Sequence, residues 1–219
     1  MKTILRAGLI GALLATSTLA GCASTYYGAM EKIGYEKRDL LVQRVSDTAR
    51  SQEAAKTEFA NALEAFRAVV YVEPGALESS YDSLSKSYDR SVDKAEKVRS
   101  RIKDVKSVAR DLFKEWNGEL TEYSDPGLRQ KAAEQLAETE ARYDTLVAKM
   151  DAAAASMDPV LVMFHDRVLY LKHNLNARAI AALEPETAGL QSNVESLIAD
   201  MERSIADADA FIAEMRPGV

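Results

Sequence analysis

The sequence predicts an all-α protein, an elongated antiparallel up-down-up-down helical bundle of the coiled-coil kind. Composition is the first reason: 28% of the 219 residues are charged, 47% are apolar and 7% aromatic, with 10 Gly and 5 Pro. Chains rich in Ala, Glu, Lys, Leu and Arg and poor in Gly and Pro form long helices. Periodicity is the second, because apolar residues recur at steps of four and three, which keeps one helix face turned to a partner. Third, helix breakers cluster at Glu73-Pro74-Gly75, Ser124-Asp125-Pro126 and Glu184-Pro185. Proline disfavours a helical residue before it and glycine permits a turn. These clusters divide residues 29–216 into helices over about 29–72, 77–123, 126–183 and 186–215.

In chain order, the first helix carries the seam Leu41, Val45, Thr48, Gln52, Ala55, Phe59, Ala62, Phe66, Val69. The second carries Leu77, Tyr81, Leu84, Tyr88, Ser91, Ala95, Val98, Ile102, Val105, Ala109, Leu112 and Trp116. Its other faces hold ten basic and ten acidic residues, a solvated, ion-paired surface. Asp125 is placed to cap the third helix, with Pro126 at its first position. That helix runs through Leu128, Leu136, Tyr143, Leu146, Met150 and Met157, and is expected to kink near Pro159. Its pattern resumes at Leu161, Phe164, Val168, Leu171 and Leu175. The fourth helix carries Leu190, Val194, Leu197, Met201, Ile205, Ala208, Ile212 and Met215.

In an antiparallel pair, facing residue numbers add to a constant, twice the turn position. Leu41 with Ala109, Phe59 with Ser91 and Val69 with Tyr81 all add to 150, so the first turn is expected at Gly75. The same test gives 248 for the second and third helices, with Tyr143 opposite Val105 and the turn at Ser124. It gives about 369 for the third and fourth, with Phe164 opposite Ile205. The fourth helix is then expected to cover only the half of the bundle nearest Gly75. Extending the first sum sets Gly34 opposite Trp116.

The N-terminus carries a different signal. Lys2 and Arg6, an apolar run over residues 7–15 and small polar residues after it form a secretory leader, too short and wrongly flanked to span a bilayer. Leu19-Ala20-Gly21-Cys22 resembles the lipobox of bacterial lipoproteins. That resemblance implies cleavage of residues 1–21 and a diacylglyceryl-carrying, N-acylated (palmitate-type) Cys22. The alternative is an ordinary signal peptide with Cys22 an idle thiol. Ala23, where the sorting pattern would otherwise have Asp, implies the outer membrane, with the body in the periplasm. Residues 22–28 are then a lipidated terminus and short linker, and the fourth helix covers the membrane-distal half. Cys22 is the one cysteine, so no intramolecular disulfide forms.

Several function classes are excluded. Net charge is -6, and removing Lys2 and Arg6 with the leader leaves 26 basic against 34 acidic side chains, the wrong balance for a nucleic-acid binder. There is no G-x-G-x-x-G, phosphate-binding loop or G-x-S-x-G. His165 and His173 are eight residues apart, not the four that join two imidazoles on one metal. No catalytic residue, metal or cofactor is expected, and the protein reads as a non-enzyme. One stretch stands out: residues 159–164 and 168–171 are apolar on nearly every face, which reads either as core beneath the fourth helix or as an interface. After it, Lys172, His173, Asn174, Asn176 and Arg178 form a candidate partner-contact cluster near the distal tip, or else simply cap the tip turn.

Two strings carry a family resemblance, Tyr26-Tyr27-Gly-Ala-Met-Glu-Lys-Ile-Gly-Tyr-Glu-Lys-Arg38-Asp39 and Leu171-Lys-His-Asn-Leu-Asn-Ala-Arg-Ala-Ile180. They resemble the bacterial lipoprotein family catalogued as domain of unknown function 2959. The resemblance implies a signal, a lipidated cysteine and a helical body, and no reaction. The resulting expectation is a helical spacer or protein-interaction scaffold, held to the membrane through Cys22 and meeting an envelope protein partner. The alternative is a small-ligand or lipid carrier with a groove between the third and fourth helices, around Met157, Met163 and Met201. Oligomeric state stays open.

Overall fold

The computed structural model describes the backbone of residues 21–72 and 75–215, and side chains from Lys37 onward. Helices α1 (Gly21–Val70) and α2 (Leu77–Glu119) are followed by a 3-10 turn at Leu120–Glu122. Then come α3 (Pro126–Ala155), α4 (Met157–His173), α5 (Ala177–Leu183), a second 3-10 turn at Glu184–Glu186 and α6 (Thr187–Met215). Among the described residues there is no strand, and the long helices share one hydrophobic core.

α1 is a single 50-residue helix because no proline interrupts it and its seam never loses phase. All nine seam residues from Leu41 to Val69, including polar Thr48 and Gln52, are fully buried. The chain reverses at Gly75, whose φ of 97° lies where glycine alone is unstrained. Lys37 Nζ meets Glu115 at 2.8 Å and Arg90 Nε donates to Glu58 at 2.7 Å. These pairs add to 152 and 148, either side of the expected 150, so α1 and α2 run in opposite directions at the height the seams indicate. The proposed contact of Gly34 with Trp116 lies outside the described residues.

Elsewhere the expectations need correction. Residues 23–28, expected as a linker, are helical, because nothing there breaks the run that begins α1. The pairing of α2 with α3 is shifted: Phe113 stacks against Tyr143 at 5.2 Å and Lys106 reaches Asp151 at 2.7 Å, at sums of 256 and 257 rather than 248. The cause is the connection. Residues 120–125 leave α2 as a 3-10 turn and extended chain, which advance further per residue than an α-helix, so α3 starts below the end of α2.

In place of a kinked third helix there are separate helices. Proline clashes with the carbonyl four residues before it and lacks an N–H. Pro159 therefore ends α3 at Ala155, its own i−4 residue, and sits within the first turn of α4, where proline is tolerated. The chain also stops short of residue 183. Asn174 donates its side-chain amide to the Tyr170 carbonyl at 3.0 Å, and Asn176 starts α5 as its N-cap. The reversal therefore occupies residues 174–186, and α3 meets α6 at a sum of 356 (Arg142 with Glu214, 2.6 Å; Lys149 with Asp207, 2.8 Å) rather than 369.

α6 also lies on α1, where Gln52 donates to Ser204 at 3.0 Å and Lys56 meets Glu202 at 3.3 Å. Running from there to its end at Met215, α6 reaches about the level of Leu41, counted residue for residue along the two helices. The N-terminal twenty or so residues of α1 have no fourth helix beside them.

Candidate functional site

The surface that stands apart is the outer side of α4. Once Pro159 has fixed its start, Met157, Val160, Phe164 and Leu171 turn inward and are buried. Leu161, Met163 and Val168 are half-buried against the core. Apolar residues are more numerous than the inward face of α4 can take, and some face out beside exposed His165 and Asp166: Val162 is 58% exposed, Leu169 49% and Tyr170 40%. The stretch left open between core and interface is core on one side and exposed on the other. Val162, Leu169 and Tyr170 were not singled out in the sequence. The signal was there, since a run of consecutive apolar residues cannot all point one way on a helix.

Two contacts hold α4 in place. Tyr88 Oη lies 3.2 Å from His165 Nδ1, with the rings 5.7 Å apart. Burial, and then the Asp89 charge, push the Tyr88 phenol above its ordinary pKa, so it stays a neutral hydroxyl. Arg167 donates to the Met163 carbonyl at 2.7 Å, pairs with Glu186 at 2.7 Å and stacks its guanidinium 5.9 Å from the centre of Phe66. One side chain thus ties α4 to α1 and to the 3-10 turn that precedes α6.

The five residues expected at the tip divide by role. Asn174 and Asn176 are spent on capping: Asn176 Oδ1 accepts from the backbone N–H of Arg178 and of Ala179, both at 3.1 Å. Lys172, His173 and Arg178 are exposed, each following the Leu169 and Tyr170 surface toward the reversal.

Met157 and Met201 are buried and Met163 is half-buried against the core. Two shallow clefts of about 350 and 400 Å³ lie instead between α3 and α6. Alanines floor them (Ala141, Ala152, Ala153, Ala210), and the ion pairs of Arg142 with Glu214 and Lys149 with Asp207 cross them. Among the described residues, no group of three or more His, Cys, Asp or Glu side chains stands in a metal-holding arrangement. No described helix is long and apolar enough to cross a membrane. Cys22 is the second residue of α1, and its side chain lies outside those described.

Fold and surface together define a helical-bundle protein with exposed apolar side chains on the outer side of α4. The chain belongs to the family described as Protein of unknown function (DUF2959), whose model matches residues 26–215. No curated protein and no solved structure matches the chain.

Proposed function

We propose that this protein is a non-enzymatic lipoprotein, held to the periplasmic face of the outer membrane through acylated Cys22, and that it acts as a helical spacer presenting a partner-contact surface. The partner is an envelope protein. The contact surface is the outer side of α4, continued by Lys172, His173 and Arg178. One observation carries this reading: Val162, Leu169 and Tyr170 stand exposed on the outer side of α4, around exposed His165 and Asp166. Exposed apolar patches on an otherwise charged surface characterise contact sites.

Photo-crosslinking in cells tests it. A crosslinkable residue at Val162 or Leu169 is expected to give a discrete protein adduct absent when the same residue replaces Ser100. Identical patterns at all three positions would count against the contact surface. The anchor has its own test, since Cys22→Ser should abolish acylation and release the body from membranes.

A second reading, a carrier of small apolar ligands, is favoured by the alanine-floored clefts between α3 and α6. It predicts that an apolar fluorescent probe binds the wild type and that Ala153→Phe blocks it.

A further inference from the structure

The end of the bundle opposite the tip has a feature that the anchor alone does not require. Lys37 of α1 is level with Glu115, and Phe113, two residues earlier in α2, is level with Tyr143 of α3. Cys22 lies fifteen residues before Lys37, and Leu128 fifteen residues before Tyr143. At 1.5 Å per residue each lies about 22 Å beyond its pair, so Leu128 sits within about 3 Å of the level of Cys22.

This coincidence follows from the corrected register. α3 starts below the end of α2, so its first turns project to the level of the N-terminal end of α1. Leu128 is 54% exposed there, and Arg129 and Lys131 beside it are exposed with no ion pair among the described residues. A bare leucine flanked by two unpaired cations suits a phospholipid surface: the apolar side chain enters the acyl boundary while long basic side chains keep their charge at the phosphates.

We propose that the first two turns of α3 (Leu128, Arg129 and Lys131) form a second, non-covalent contact with the phospholipid bilayer, so that the body meets the membrane at two points. The proposal rests on the reading of Cys22 as the lipid anchor. That cysteine lies in α1 itself, so no flexible linker separates anchor from body. A headgroup layer about 5–8 Å deep spans the roughly 3 Å difference in level. Two contacts on different helices fix the direction in which the bundle leans, which one acylated residue cannot do.

The test uses the full, acylated chain in vesicles of phosphatidylethanolamine and phosphatidylglycerol. Leu128→Cys and, separately, Ser100→Cys carry a nitroxide label whose collisions with a water-soluble nickel chelate are measured, and each sample is floated on a density gradient. The expected result is flotation of both, with the label at 128 several-fold less accessible than that at 100. Adding Arg129→Glu and Lys131→Glu should make the label at 128 as accessible as the control. Flotation with equal accessibility at 128 and 100 overturns this contact and leaves the anchor standing. Failure to float overturns the anchor itself, and this contact with it.

Discussion

Gln52 and Ser204 are both buried and hydrogen-bonded to each other at 3.0 Å, a polar rung inside a mostly apolar seam. Gln52 Oε1 has no protein partner at all. Ser204→Ala would leave the whole amide unpaired and is expected to destabilise the fold by about 1–3 kcal/mol in urea unfolding. Adding Gln52→Leu should recover much of that loss, since an apolar pair of similar shape leaves nothing to desolvate; no recovery would mean the rung is not coupled. A second residue works through charge. Burial, then Glu115 and Glu122, raise the Glu119 carboxyl above its ordinary pKa, with Lys37 opposing. Protonation is therefore favoured by folding: its contribution is complete below the unfolded value of about 4.3 and fades as pH rises through the folded value. Glu119→Gln should raise Tm at pH 7, and its advantage should vanish below about pH 4.

Among the elements, α1 was the most legible, because its nine-residue seam is long, unbroken and buried at every position. The third segment was legible in phase but not in continuity. Its apolar pattern carries across Pro159, and pattern alone cannot tell a bent helix from two helices meeting at Ser156. Pro159→Ala should join them, seen as slower amide exchange at residues 156–159; unchanged exchange would mean another cause of the break. Asn176 shows how a polar cluster misleads. Its amide oxygen is committed to the first turn of α5, so Asn176→Ala is expected to cost about 1 kcal/mol and to speed exchange in α5. The outward Val162, Leu169 and Tyr170 were hidden by the same reasoning that found the core, which treats every apolar residue as inward.

At the scale of the whole molecule, seams indicate which faces meet but only weakly the height at which they meet. A seven-residue repeat looks alike after sliding by one heptad. The first turn was read correctly because glycine and proline confine it to a few residues. The second and third turns also fall where the breakers stand, with Asp125 capping α3 and a 3-10 turn at Glu184–Glu186, but the heights at which the helices then meet were misjudged, because 3-10 and extended stretches carry the chain along the axis in ways that periodicity does not record. α6 contributes Leu190, Val194, Leu197, Met201 and Ala208 to the common core. A chain ending at Glu186 should therefore bind a hydrophobic dye and lose its cooperative thermal transition. A sharp transition at the original Tm would show that α6 is an accessory.

The unbroken course of α1 from Gly21 to Val70 has a mechanical meaning. Fifty residues at 1.5 Å each make a rod of about 75 Å with no joint along its length. A rod of that kind is a lever. Rotating its lower end by about 10° swings the far end through about 13 Å, so modest changes in how the base is seated become large displacements at the Gly75 turn. The α4 face rides on that lever, and the region of the envelope it can reach is governed by the pivot.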